Sequence, residues 1–133
     1  MVLHHYIERL LSRNLLMNKR LLGKKYETLA CDYLKNNNYE IIEQNYQCKT
    51  GEIDIIARDI NDKDKYLCFI EVKFRHTTDY GRAIEAVDKR KQNRIIKTSK
   101  MYLLQNDISF DQAIRYDVIC FDNEELTYIK NAF

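Results

Sequence analysis

Apolar residues recur along this chain with two different periods, and the periods predict where helices and strands form. Helical spacing predicts one helix from about Lys24 to Asn37 and another that begins between Ala83 and Asp88 and ends near Gln105. Asp88 is a suitable N-cap for the main part of the later helix, because its side chain can accept from backbone N–H groups of the first turn. The earlier helix is expected to bury a single apolar stripe formed by Tyr26, Leu29, Ala30, Tyr33 and Leu34.

Runs rich in β-branched and aromatic residues predict five strands, at 39–46, 52–58, 66–74, 115–121 and 126–130. Short links join the first three strands, which favours an antiparallel meander. The fourth strand is reached through a helix, which allows a parallel crossover. We therefore predict an α/β fold in which a mixed sheet of four to five strands is flanked by helices, in the order α-β-β-β-α-β.

Helical spacing also extends upstream, where basic residues alternate with the apolar positions Tyr6, Ile7, Leu10, Leu11, Leu15 and Leu16. We interpret residues 1–22 as an appended amphipathic helix and residues 23–133 as the main domain. Packing of this helix on its own domain is the favoured interpretation, and binding to a membrane surface or a partner is the alternative. A translation start at Met17 would instead leave the first residues outside the structure.

Two of the predicted strands carry charged residues in the middle of apolar runs. Because side chains alternate along a strand, Ile53 and Ile55 are predicted to face away from Asp54, whereas Glu71 and Lys73 share one face of the next strand. If these strands pair, Asp54, Glu71 and Lys73 converge. Burying carboxylates costs several kcal/mol unless a cation or good hydrogen bonds compensate for it. The alternatives are a structural Glu-Lys salt bridge and a divalent metal ion held by Asp54 and Glu71, with Lys73 beside a phosphate.

Length and composition indicate a single domain, because 133 residues with 45% hydrophobic content can form one core but not two. The four cysteines form no C-x-x-C pair, so neither a zinc site nor a disulfide framework is expected. The first residues lack the apolar core of a signal peptide, and no run is long enough to span a membrane. We expect a cytoplasmic protein with no membrane partner.

Positive charge is concentrated in one segment, although the net charge of the whole chain is only +2. Between Arg82 and Lys100 there are seven basic residues and two acidic ones, a local excess of five positive charges. On the predicted helix, Lys91 belongs to the inward face, whereas Arg90 and Arg94 face outward. Such a basic face is typical of phosphate backbone binding, and a merely solvated face is the alternative.

These residues together resemble the YraN-like family of restriction-endonuclease-like proteins, which are similar to Holliday junction resolvases and carry the PD-(D/E)xK signature. The resemblance extends from Gly23 to about Phe121. The matching residues, in chain order, are Gly23, Glu27, Ala30, Tyr33, Leu34, Gly51–Asp54, Phe69–Lys73, Arg75, Glu85–Val87, Lys91, Arg94, Ile95 and Arg115–Val118. Tyr26 replaces the usual Gly before the helix glutamate, where it could crowd the cleft or fill space, and Lys89 replaces a common Pro.

The resemblance implies a nuclease core with catalytic residues Glu27, Asp54, Glu71 and Lys73. Asp54 and Glu71 are the implied ligands of Mg²⁺ or Mn²⁺, Lys73 positions the attacking water or the phosphate, and Glu27 completes the outer shell. Lys91 could touch the same phosphate. The implied contacts to flanking phosphates are Arg75, Arg82, Arg90 and Arg94.

The function expected from this resemblance is a metal-dependent endonuclease acting on nucleic acid, with DNA favoured over RNA and branched DNA in repair or recombination as a substrate. A homodimer is expected by analogy with the resolvases. The alternative is a nucleic-acid-binding protein of the same fold that does not cleave, because a fold alone does not establish an activity.

Overall fold

The computed structural model of the protein describes residues 2–75 and 83–133. Its elements, in chain order, are helix α1 (Val2–Asn36), strands β1 (Tyr39–Cys48), β2 (Gly51–Asp59) and β3 (Leu67–Arg75), a 3-10 turn (Ala83–Ala86), helix α2 (Lys89–Gln105), and strands β4 (Ile114–Asp122) and β5 (Glu125–Ile129). The five predicted strands are confirmed. Asp88 is the N-cap of α2, since its carboxylate accepts from the Lys91 backbone N–H at 2.8 Å.

The strands form one mixed sheet in the order β1-β2-β3-β4-β5. The pairs β1/β2, β2/β3 and β4/β5 are antiparallel, whereas β3 and β4 are parallel. This arrangement confirms both the predicted meander and the predicted crossover through a helix. Gly51 begins β2 with φ +145°, and a Cβ there would lie 3.3 Å from the Thr98 Oγ1 of α2, so a residue without a side chain fits this turn.

The two helices cover opposite faces of the sheet. On one face, Tyr26, Ala30, Cys31 and Leu34 of α1 pack with a cluster that includes Ile55, Ile70 and Ile119. On the other face, Ile95, Tyr102 and Leu103 of α2 pack with a cluster that includes Ile56, Phe69 and Val118. Leu29 is exposed, contrary to its predicted place in the buried stripe, and Cys31 is buried instead. The apolar face of α1 therefore lies slightly further round the helix than the sequence pattern indicated.

The prediction of two separate helices before β1 is wrong, because α1 is one continuous helix of 35 residues. No proline interrupts it, and a single glycine such as Gly23 costs a helix only about 1 kcal/mol. The favoured interpretation that the N-terminal part packs on its own domain is also wrong, since every residue from Val2 to Leu21 is exposed. In the described ranges, no helix combines the length and the apolar content that crossing a bilayer would require.

A buried polar cluster joins four strands at the end of the sheet remote from Lys73. The Arg115 guanidinium donates to Asp59 Oδ2 at 3.0 Å, to both carboxylate oxygens of Asp117 and to the Tyr39 hydroxyl at 2.8 Å. The Tyr128 hydroxyl donates to Asp117 as well. Although burial acts to raise it, hydrogen bonds from neighbours including Arg115 hold the pKa of Asp59 below its usual value. One guanidinium therefore compensates two buried carboxylates.

Candidate functional site

The candidate site begins where β2 and β3 stop pairing. Their ladder runs only from Arg58 back to Ile55, and at the next residue the Asp54 carboxylate accepts the Val72 backbone N–H at 2.9 Å. A side chain thus takes the place of a ladder hydrogen bond, and the strict alternation predicted for β2 fails at this point. Ile53 packs with Ile56 in the α2 cluster, not with Ile55 as predicted. At this opening the Asp54 carboxylate contacts the β3 backbone and lies near Glu27 of α1.

Glu71 lies at the centre of the site and is almost fully buried. Its Oε1 is 3.9 Å from the Nζ of Lys73 and 3.9 Å from the Nζ of Lys91. Its Oε2 is buried and finds no hydrogen-bond donor among the residues that the structure describes. The predicted convergence of Asp54, Glu71 and Lys73 is present in the structure, and Lys91 joins them from the inward face of α2, as its helical position predicted.

Burial raises the pKa of both carboxyl groups of the site. Burial raises the pKa of Glu71 and the charge of Asp54 adds to it, so that the value reaches about 8 although Lys91 and Lys73 oppose the shift. Burial also raises the pKa of Asp54, and the hydrogen bond from Val72 works against this. Two ionised carboxylates are therefore unstable here without further positive charge. A proton or a cation between them would satisfy the buried Glu71 oxygen.

Glu27 lies at the margin of this site, on α1. Burial raises the pKa of Glu27 and the negative charge of Asp54 adds to the shift, whereas hydrogen bonding to the Asn45 side chain lowers it. Tyr26 turns away into the core, where its ring lies 5.0 Å from that of Phe74 and 4.8 Å from that of Phe121. The residue that replaces the family's usual glycine therefore fills space in the core and does not crowd the cleft.

The donor set fits a hard divalent cation. Asp54 and Glu71 offer carboxylate oxygens, one of which is buried with no donor in residues 2–75 and 83–133. Such oxygens are the ligands that Mg²⁺ and Mn²⁺ prefer. Within residues 2–75 and 83–133, no group of three or more His, Cys, Asp or Glu side chains is assembled around a common point. Mg²⁺ suits a site with two carboxylates, because it commonly keeps several of its waters.

The basic residues predicted to contact phosphates have different surroundings. Arg90 and Arg94 are exposed on α2, and Arg94 lines a cleft of about 370 Å³ together with Lys91, Gln47, Cys48, Gly51 and Glu52. Arg75 is held by Asp122, to which its Nε and Nη2 donate at 2.6 and 3.0 Å. A phosphate that contacts Arg75 would therefore compete with the Asp122 carboxylate for the guanidinium. Arg82 lies outside the described residues.

Comparison with known proteins places this arrangement in a family. Residues 26–121 match the profile of the uncharacterised protein family UPF0102. The chain belongs to this family. A UPF0102 protein of Lachnoclostridium phytofermentans is 44% identical over 117 residues, which cover 88% of this chain and 96% of that protein. A UPF0102 protein of Clostridium botulinum is 44% identical over 118 residues, which cover 84% of this chain and 93% of the Clostridium botulinum protein.

The UPF0102 match confirms the predicted YraN-like family but names no activity, since neither the family description nor the names of these relatives states one. The matched residues 26–121 include Glu27, Asp54, Glu71, Lys73 and Lys91. The exposed part of α1 that precedes residue 22 lies outside the match. The site is therefore a feature of the UPF0102 region of this chain.

Sequence reasoning missed two groups of the site. The Val72 backbone N–H, which fixes Asp54, has no signature in the sequence, because any residue but proline supplies it. Asn45, the partner of Glu27, adopts φ 54° in β1, a conformation that asparagine tolerates better than most residues. An Asn inside an otherwise strand-like run was the available signal for this position.

The raised pKa of Glu71 leads to a prediction about stability without divalent ions. Between its ordinary value of 4.5 and about 8, the folded protein holds a proton that the unfolded chain has lost. The free energy of unfolding should therefore fall as the pH rises through this window. Glu71→Gln cannot ionise, so by pH 8.5 we expect it to exceed the parent in stability by on the order of 2 kcal/mol.

Urea unfolding in EDTA at several pH values measures this difference. We expect the parent and Glu71→Gln to match near pH 4.5 and to diverge as the pH rises, whereas Glu40→Gln, at an exposed strand position, should follow the parent throughout. Adding MnCl₂ at pH 8 should raise the melting temperature of the parent and not that of Glu71→Gln. Parallel stability curves for all three proteins would contradict the assignment.

Proposed function

We propose that this protein is a metal-dependent nuclease that hydrolyses phosphodiester bonds in DNA. The observation that carries the proposal is the convergence of Asp54, Glu71, Lys73 and Lys91 around a buried Glu71 oxygen that has no donor among the described residues. Two carboxylates and two ammonium groups at a split in a sheet are costly to assemble for stability alone. Such a set of groups suits phosphodiester hydrolysis, in which the carboxylates bind a cation and the ammonium groups contact the phosphate.

Each residue of the site has a role that follows from its surroundings. Asp54 and Glu71 would hold Mg²⁺ or Mn²⁺, and the Val72 N–H fixes the orientation of Asp54. A divalent ion bound there supplies charge stabilisation for the scissile phosphate and an activated water. Lys73 is 40% exposed, so its ammonium can donate to the attacking water or to a phosphate oxygen while its stem stays beside Glu71. Glu27, on α1 and close enough to Asp54 to feel its charge, would complete the outer shell of the ion.

Lys91 supports the same phosphate from the other side of the site. Its Nζ is 3.9 Å from Glu71 Oε1, and it also lines the cleft that contains Arg94. A DNA strand entering along α2 would meet Arg90 and Arg94 before it reaches Glu71. Contacts of this kind neutralise phosphates without reading bases, which suits recognition of DNA shape more than of sequence.

The test is a cleavage panel of labelled single-stranded, duplex, flapped and four-way-junction DNA, with Mg²⁺ or Mn²⁺, run beside Asp54→Asn. We expect divalent-dependent cleavage of at least one branched substrate by the parent and none by the variant. Asn can still accept the Val72 N–H, so the fold should persist. If both proteins bind the panel and neither cleaves it, the protein is instead a non-catalytic nucleic-acid-binding protein.

The basic face of α2 gives a second prediction. The double reversal Arg90→Glu with Arg94→Glu should weaken DNA binding at least ~10-fold and flatten the salt dependence by about two phosphate contacts. Arg90 and Arg94 are both exposed on α2, so the fold should tolerate the two reversals. The matched control reverses Lys63 and Lys130, which are exposed outside α2. Fluorescence anisotropy over a salt series measures both slopes, and equal slopes for the two double variants would contradict the assignment.

A further inference from the structure

The N-terminal half of α1 carries an apolar stripe that the described part of its own domain does not cover. Every residue from Val2 to Leu21 is exposed, and the five apolar residues of the stripe considered below are between 41% and 70% exposed. Most of the stability of a helix in a protein comes from the packing of its apolar face, which this segment does not obtain from the described domain. A contiguous exposed apolar surface of this kind is typical of an interaction site.

The stripe has the spacing of a coiled-coil seam. Successive members are separated alternately by four and three residues, and they are Leu3, Ile7, Leu10, Asn14, Met17 and Leu21. This spacing assigns Ile7, Asn14 and Leu21 to heptad position a. In a parallel coil, Ile7 at a with Leu10 at d favours two strands, and a single Asn at a fixes register and the two-stranded state. The polar Asn14 inside the stripe would be costly against lipid chains, so the pattern favours a protein partner over a membrane.

The helix is placed so that a second copy can reach the stripe. At 3.6 residues per turn, the stripe lies on the side of α1 opposite to Tyr26, Ala30 and Leu34, which pack against the sheet. Further along the helix, Lys24, Lys25, Thr28 and Asp32 continue the stripe side and are exposed. A parallel partner helix would therefore meet no part of the described domain, and the two domains would point away from each other.

We propose that the protein forms a parallel homodimer through a two-stranded coiled coil of residues 3–21 of α1. The seam is about 28 Å long and would remove on the order of 500 Å² from each partner, which is near the lower limit for a specific interface. The dimer should therefore form at micromolar concentrations. This assembly does not depend on the proposed nuclease activity.

Charge decides how the dimer responds to salt. Residues 2–25 contain six basic residues and one acidic residue, and Arg13 and Arg20 flank the seam at position g. The two helices repel each other electrostatically, so the association should strengthen as salt screens these charges. Binding of the same basic helix to an anionic membrane or to nucleic acid would weaken with salt. The sign of the salt effect thus separates the second copy from those partners.

Sedimentation of the full chain tests the proposal, from about 1 to about 200 µM and at two salt concentrations. We expect a shift from the 16.0 kDa monomer to a species of twice that mass, stronger at high salt. Leu10→Asp should weaken the association at least ~10-fold, whereas Leu16→Asp, exposed on another face of the same helix, should change it less than ~2-fold. A monomer throughout, or equal effects of both variants, would overturn the proposal, as would Leu10-dependent binding to anionic vesicles without self-association.

A substitution at Asn14 tests the register independently. Asn14→Ile should strengthen the association and admit species larger than a dimer, because the polar residue that limits the coil to two strands is gone. Asn14→Cys should form a disulfide-linked dimer under a thiol oxidant, since a positions of parallel strands face each other, whereas Ser12→Cys on the outer face should not. Weaker association of Asn14→Ile, or equal cross-linking of both cysteine variants, would remove Asn14 from the seam.

Discussion

Glu71→Gln should lower the rate of divalent-dependent DNA cleavage by at least about 10³-fold while leaving DNA binding in EDTA intact. The substitution keeps the size and shape of the side chain and removes one carboxylate ligand from the buried site. Lys73 and Lys91, each 3.9 Å from Oε1 of Glu71 in the parent, can still contact a phosphate. Because Glu71 holds a proton in EDTA at neutral pH, the substitution leaves the charge of the metal-free cleft unchanged, and DNA binding should equal that of the parent.

Single-turnover cleavage of the best substrate from the panel, together with anisotropy binding in EDTA, measures both quantities. The control is Glu40→Gln, which makes the same change of residue at an exposed position on β1 and should stay within about 2-fold of the parent in both assays. If Glu71→Gln kept more than about a tenth of the activity, Glu71 would not be a ligand. A loss of binding in step with cleavage would indicate a damaged fold, which its unfolding curve would reveal.

Arg115→Met should lower the free energy of unfolding by about 4 kcal/mol, the largest stability effect that we expect from a single substitution in this chain. The change leaves Asp59 and Asp117 buried without the guanidinium that compensates them, and it removes the hydrogen bond that Arg115 donates to the Tyr39 hydroxyl. Because the cluster joins β1, β2, β4 and β5, its loss should loosen both edges of the sheet.

Urea unfolding at pH 7 measures this loss, and Arg58→Met is the matched control. Arg58 donates to the Lys65 carbonyl in an exposed turn, so its substitution should cost less than about 1 kcal/mol. Arg115→Lys should fall between the two, because an ammonium keeps the charge but cannot supply the planar fork that holds Asp117 with two parallel bonds. Equal losses for Arg115→Met and Arg58→Met would show that the buried cluster is dispensable.

Local patterns predicted the elements well because each follows from nearby residues. The β-branched runs that became β1 to β5, and the Asp88 cap of α2, depend on interactions within a few residues along the chain. The same is true of Lys91, whose inward position follows from helical periodicity. Prediction failed where a distant contact decides, as for Ile53, whose side of the sheet depends on β2 leaving β3 at Asp54.

The sequence by itself determined the order of helices and strands, the faces of β3 and α2, and the residue types that can bind a cation and a phosphate. Only the tertiary structure decided that Glu71 Oε2 is buried with no donor among the described residues and that the Val72 backbone fixes Asp54. It also decided that the described part of the domain leaves the stripe of α1 exposed. The physical reason is that periodicity specifies which face a side chain occupies. What that face meets, and whether water remains there, depends on elements far away in the chain.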